Sequence, residues 1–349
     1  MNILFYITNH GYGHASRNVP IMEELIKRGN KIYVKSDDIR IDFLKRNLSD
    51  YNNIQYYDDI CEVGLILEAG RMKPDVETMR LAIEDDKKKW PEIIERESLF
   101  IKNNRIQLVV SDTVAVGIRA AKRAGVKSII VGNFDWALIY SAYYKKEIWN
   151  HYLESYKMAE MAIWYELHNK KIDCHNENCV EASLLSRSID YSEAERIKES
   201  YDRPIVFVSL GGSAALEKKI DVSNLEYEFI VTQGLNLCGD NVHVLPSDMI
   251  NTMDYIAASK YVISKGGWST VAEILLQHKL AVLIMRSNNP EDERTKELLT
   301  KRKHCIAIDG EDELDFGRLL SDLSKLEPTS YDVYRDDCIK VCDIITNCK

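Results

Sequence analysis

One pattern, repeated along the chain, constrains its fold more than anything else: a short uninterrupted apolar run, a turn rich in glycine, an amphipathic helix, then another apolar run. ILFYIT at 3–8 passes through NHGYGHASRN into PIMEELIKRG, whose apolar positions recur at helical spacing and stop at a glycine, and KIYVKS at 31–36 opens the next strand. Consecutive apolar residues suit a strand buried on both faces, and a parallel sheet covered by crossover helices provides that burial. The stretch 75–101, with Val76, Met79, Ile83, Trp90, Ile93 and Ile94 three or four residues apart or nearly so, predicts a long amphipathic helix. LVVSD, VAVGIRAAKRAG and SIIVGN then spell strand, helix and strand. After a polar stretch at 170–202, expected to be a strandless connection, the pattern restarts with RPIVFVSLGG, EYEFIVTQG, NVHVLP, YVISKGG, a helix and LAVLIM. The expectation is an α/β chain of two doubly wound units, residues 1–182 and 183–349, with a last helix in DVYRDDCIKVCDIITNC that can pack back on the first unit.

Length agrees, since 349 residues suffice for two cores of about 150 residues each. The 46 Lys and Arg against 55 Asp and Glu leave a net charge of −9 with no basic cluster, so nucleic acid is not an expected partner. The start MNILFYITNH carries no basic leader, and apolar runs such as LAVLIM fall far short of the roughly 18 residues of a membrane span. The expected location is cytoplasmic. The eight cysteines show no CxxC pair and no compact disulfide framework; Cys174, His175 and Cys179 lack a second cluster at zinc-finger spacing, and no metal site is expected.

In open parallel sheets ligands bind beyond the carboxyl ends of the strands, so the residues following each strand are the functional candidates. They are NHGYGHASR after the first strand, with His10, Gly11, Gly13, His14 and Arg17; Asp112 after LVVS; Asn133, Phe134 and Trp136 in GNFDW; Gly211, Gly212 and Ser213; and Lys265, Gly266, Gly267, Ser269 and Thr270 in KGGWST. KGGWSTVAE is a strand-to-helix turn whose exposed amides can bind a phosphate, although it is neither a Walker loop nor a GxGxxG fingerprint. Thr270 with Glu273 reads equally as a capping box. His14 can be a turn residue, a metal ligand or a base with a near-neutral pKa, and Asp112 a helix cap or the carboxylate that orients that base. The segment FDWALIYSAYYKKEIWNHYLESY holds eight aromatics with two lysines. It suits a packed helix, a stacking surface for sugars, or a peripheral membrane contact.

With these residues in view the chain resembles the GT-B nucleotide-sugar glycosyltransferases of the family 28 type, and within them the glycosyltransferase-like half of plant L-arabinokinases and their free-standing microbial relatives. The resemblance runs from about 3 to 310 and rests on YITNHGYGHASR, VGNFDWALIY and DYIAASKYVISKGGWSTVAEILLQHKLAVLI. It implies two Rossmann-like domains facing across a cleft, and a nucleoside-diphosphate sugar as co-substrate with no further cofactor. It also implies a diphosphate at Gly266, Gly267, Ser269 and Thr270, and ribose hydroxyls near Glu273. In NNPEDERTKEL, Glu293 stands where such enzymes present an acidic residue followed by Gln to the sugar, but Arg294 follows here. His14 is the implied base and Asp112 its neighbour. The expected activity is metal-independent, inverting glycosyl transfer from a UDP- or dTDP-linked sugar to a glycan, lipid-linked or small-molecule hydroxyl. A nucleotide-sugar hydrolase or epimerase of the same fold, and a non-catalytic nucleotide-sugar-binding module, are the alternatives.

Overall fold

A computed structural model describes residues 1–59, 62–68, 73–210, 216–247, 249–310 and 314–348. The first sheet is built from β1 (Asn2–Ile7), β2 (Lys31–Ser36), β3 (Ile54–Asp58), β4 (Leu108–Asp112), β5 (Lys127–Gly132), β6 (Met161–Tyr165) and β7 (Cys179–Ala182). Its helices are α1 (Gly11–Lys27), α2 (Asp38–Asn47), α3 (Val76–Asn103), α4 (Ala115–Ala124), α5 (Trp136–Ser141) and α6 (Lys146–Tyr156), and α7 (Tyr191–Glu199) follows β7. The second sheet uses β8 (Ile205–Ser209), β10 (Glu228–Val231), β12 (Val242–Val244), β13 (Tyr261–Lys265), β14 (Leu280–Met285) and β15 (Cys305–Asp309), while β9 (Leu216–Asp221) and β11 (Leu235–Cys238) pair separately. With it run α8 (Thr252–Ala258), α9 (Trp268–Leu276), α10 (Pro290–Lys301) and α11 (Phe316–Leu323), and α12 (Cys338–Asn347) closes the chain.

Every strand pair is parallel, in the orders β3-β2-β1-β4-β5-β6-β7 and β12-β10-β8-β13-β14-β15. The order reverses direction between β1 and β4, and again between β8 and β13. At these points successive connections leave in opposite directions and open a crevice beyond the strand ends. Register places Ile7 opposite Asp112, so the chain leaving β1 rises beside the last residue of β4. One apolar cluster continues from Ile3, Phe5 and Ile21 through Leu184 and Leu185 to Trp268, Val271 and Val262, joining the two sheets through α1 and α9. Helix α12 lies on α1, its Cys342 Sγ 3.6 Å from the Ile21 carbonyl.

Several local expectations change. NHGYGHASR is mostly helix: α1 begins at Gly11, whose φ of +71° suits glycine, so His14 and Arg17 project from a helix. The stretch 170–202 is not strandless, since it contains a 3-10 turn at Lys170–His175, edge strand β7 and helix α7. In DVYRDDCIKVCDIITNC only Cys338–Asn347 is helical. In the aromatic segment Trp136, Tyr140, Tyr152 and Tyr156 are fully buried, so packing accounts for these four. No described helix is long and apolar enough to cross a membrane.

Candidate functional site

The first crevice brings together residues 98 apart in sequence. His14 Nδ1 lies 2.8 Å from Asp112 Oδ1, and both side chains are buried. Arg17 donates to the same carboxylate through Nε (2.8 Å) and a terminal nitrogen (2.5 Å), and Asn18 Nδ2 donates at 2.6 Å. Asp112 therefore faces four donors. Burial opposes its ionisation, but Arg17 and His14 outweigh burial and hold the carboxyl well below the usual carboxylate range. A terminal nitrogen of Arg17 is also 2.8 Å from His14 Nδ1. The carboxylate is a far better acceptor than the imidazole, so the tautomer with its proton on Nδ1 is the one that bonds Asp112, and in that tautomer Nε2 carries the free lone pair. Burial and then Arg17 lower the His14 pKa against the opposing pull of Asp112, so the ring is neutral at neutral pH.

Arg17 is itself held on every side. Its guanidinium carbon stands 5.5 Å from the Tyr165 and Trp268 ring centroids, and it donates to Asn133 Oδ1 at 2.6 Å. Asn133 reaches across to Glu291 Oε1 at 2.8 Å, and Glu291 accepts from Arg286 at 2.7 Å. A polar chain thus runs from the His14–Asp112 pair to the N-terminal turn of α10. Phe134 packs edge-on to His14 at 5.3 Å, while Trp136 packs edge-on to His10 at 5.5 Å. His10 lies 3.4 Å from Arg286, and burial followed by that guanidinium pushes its pKa well down.

At the second crevice Lys265 ends β13 and α9 starts at Trp268 with Gly267 as its cap residue. The first-turn amides of a helix have no intrahelical partners, and here no side chain caps them. A Cβ on Gly267 would meet open space, whereas one on Gly266 would run into the Met285 sulfur. The close approach at Gly266 is therefore made by a protein side chain. Burial, then Arg286, lowers the Lys265 pKa to about 8 against the opposing pull of Asp292 and Glu291. Ser269 Oγ donates to the Gly13 carbonyl at 2.6 Å, so this hydroxyl joins the two glycine-rich turns. The capping box does not form: Thr270 is the third helical residue, and Glu273 is buried against Arg187, whose Nε and terminal nitrogen lie 3.2 and 3.1 Å away.

Gly211, Gly212 and Ser213 lie outside the described residues. Glu293 is exposed; the acidic side chains turned into the crevice are Glu291 and Asp292, the latter accepting from the Arg286 backbone and guanidinium at 2.6 and 3.0 Å. The residues that sequence reasoning missed are Asn18, Arg187, Arg286, Glu291 and Asp292. Arg286 directly follows β14, so the strand-end rule applied to LAVLIM would have found it. His175 bonds Asp135 at 2.6 Å and Cys174 the Lys171 carbonyl at 3.1 Å, so these two do not converge on one point. His168, Asp173 and Glu181 do cluster, with the Lys170 ammonium bonded to Glu181.

No protein-family model matches the chain. It is 28% identical over 306 residues, 81% of its length, to the L-arabinokinase of Arabidopsis thaliana, and spans 28% of that protein. Among solved structures it is similar to the glycotransferase of kitacinnamycin, with a TM-score of 0.65 at 13% identity over 99% of this chain and 98% of that one. It matches Arabidopsis thaliana UGT89C1 complexed with UDP with a TM-score of 0.65 at 11% identity, over 99% and 94% of the two chains. Two parallel sheets facing each other through α1 and α9, with these likenesses, give the chain the GT-B glycosyltransferase fold and a distant homology to L-arabinokinase.

Proposed function

We propose that this protein moves a glycosyl unit from a nucleoside-diphosphate sugar, UDP- or dTDP-linked, to an acceptor hydroxyl by single displacement with inversion. The observation that carries this reading is the His14–Asp112 pair, assembled from the first turn of α1 and the end of β4, next to Gly13, whose carbonyl accepts from Ser269 at the uncapped start of α9. In the step, the acceptor oxygen loses its proton to His14 Nε2 and forms a bond to the anomeric carbon. The bond from that carbon to the diphosphate oxygen breaks, and the nucleoside diphosphate departs with the electron pair. Asp112 orients the ring and stabilises the imidazolium that forms. Lys265, Arg286 and the amides of Trp268, Ser269 and Thr270 would meet the leaving charge in a buried crevice, where fixed dipoles act strongly. Glu291 and Asp292, buried beside Arg286, would meet sugar hydroxyls in place of the exposed Glu293. UDP is the first nucleotide to try, since UGT89C1 was solved with it.

The test is a thermal-shift screen over nucleoside diphosphates and their sugars, followed by product analysis with acceptors. A ligand at about 100 times its Kd adds about 2.7 kcal/mol of apparent stability. A shift with UDP or dTDP, and a glycoside product, are expected. Failure of every nucleoside diphosphate to shift the transition would overturn the proposal, and rapid stoichiometric free sugar without acceptor would convert it to hydrolysis.

A further inference from the structure

Among the described residues one buried carboxyl near the crevice makes no hydrogen bond of normal geometry. Glu62, between β3 and α3, is 7% exposed, and neither of its carboxyl oxygens accepts a hydrogen bond among the described residues. Burying a carboxyl without donors works against folding. Burial pushes its pKa well up, while the indole N–H of Trp136, itself without another partner, is a donor beside it that favours the ionised form. Glu62 lines a small cavity at the carboxyl ends of β1, β2 and β3, together with Asn9, Lys35, Ser36 and Asp59. The neighbouring charges are already matched: Lys35 Nζ donates to Glu97 at 2.8 Å and Asp59 at 3.2 Å, and Arg96 holds Asp59 at 2.8 Å. Ser36 Oγ donates to the Ile7 carbonyl at 2.9 Å.

The cavity adjoins the residues that carry the base. Gly64 packs against Asn9 and His10 and is pinned by Tyr140, whose hydroxyl donates to its carbonyl at 3.0 Å. Trp136, the neighbour of Glu62, is also the edge-on partner of His10. The single indole N–H of Trp136 can serve only one carboxyl oxygen, so among the described residues the other lacks a donor, and the cavity has room for a small polar group of about the size of a water.

We propose that Glu62 is a specificity-determining residue for the acceptor: its carboxyl receives a hydrogen-bond-donating head, an ammonium or a hydroxyl, at the end of the acceptor away from the reacting oxygen. The preferred acceptors are then amino or polyhydroxy compounds instead of apolar alcohols and phenols. This rests on the glycosyl-transfer reading above.

The experiment titrates glucosamine, glucose and 4-nitrophenol by calorimetry, with and without UDP, into the wild type, Glu62→Gln and Glu62→Leu, and measures the Tm of each protein. Glucosamine or glucose should bind the wild type better than 4-nitrophenol, and Glu62→Leu should weaken the polar probes about tenfold. Glu62→Gln should weaken glucosamine alone if the head is an ammonium, and leave glucose within about twofold if it is a hydroxyl. At least one variant should have a raised Tm, because an unmatched buried carboxyl has been removed. Polar-probe affinity that is unchanged in Glu62→Leu would mean a structural water only, and this outcome, a lowered Tm in both variants, or no polar probe binding to the wild type each overturns the proposal. UDP that binds all three proteins alike confines such a failure to Glu62, whereas absent UDP binding by the wild type counts against the transfer reading.

Discussion

Replacing His14 by Ala separates chemistry from binding and folding. A positioned general base contributes about 10²–10⁴ in rate, equivalent to about 2.7–5.5 kcal/mol of barrier. The structural cost is smaller. His14 is buried, so its removal loses one hydrogen bond to a charged acceptor, about 1.5–3 kcal/mol, together with packing against Phe134. The Asp112 carboxylate keeps Arg17 and Asn18 and is not stranded. UDP affinity should stay within about twofold, because the proposed diphosphate contacts lie on β13 and α9 and a change that size is near the noise of an indirect effect. Asp112→Asn is a poorer probe, since it leaves Arg17, 2% exposed, without its counter-charge and should cost about 3–5 kcal/mol of stability. The assay is UDP release with a turned-over acceptor, read beside calorimetric UDP binding and a denaturation curve. The wild-type pH profile gives a second handle. The base works when neutral, and His14 has its pKa lowered from 6.5, so kcat/KM should hold as pH falls through 6.5 and decline only below it. Near-wild-type turnover in folded, UDP-binding His14→Ala would refute the assignment of the base.

Gly267→Val should weaken UDP binding while leaving the Tm close to wild type, because a side chain there enters open space before α9 and φ of −66° is ordinary for any residue; unchanged affinity by calorimetry would remove this turn from the donor site. UDP affinity should fall as pH rises through about 8, where Lys265 loses its charge in the free protein, and binding above that pH should take up a proton. Lys265→Met should flatten this dependence, and an equally steep profile in the variant would assign the proton to another group.

The central strands were legible in the sequence because β1, β4, β5, β8, β13 and β14 are apolar at nearly consecutive positions, which burial on both faces demands. Edge strands β3 and β7 alternate less clearly and are only partly buried, so nothing local distinguished them from loops. The strand-end rule likewise singled out His14, Asp112, Arg17, Asn133 and Lys265 as separate candidates. Which of them meet was a matter of sheet order. Only the adjacency of β1 and β4, with Ile7 opposite Asp112, seats His14 on that carboxylate. Only the approach of α1 to α9 ties Ser269 to Gly13 and encloses Arg17 between Tyr165 and Trp268. The same holds for Glu273, whose sequence spacing suited a cap but whose partner is Arg187, and for Glu62, whose isolation exists only once β1, β2 and β3 close around it. Local pattern records which residues must be buried and where the chain must turn. Charge pairing and the pKa shifts that follow depend on contacts between residues far apart in sequence, and those were decided by the tertiary structure.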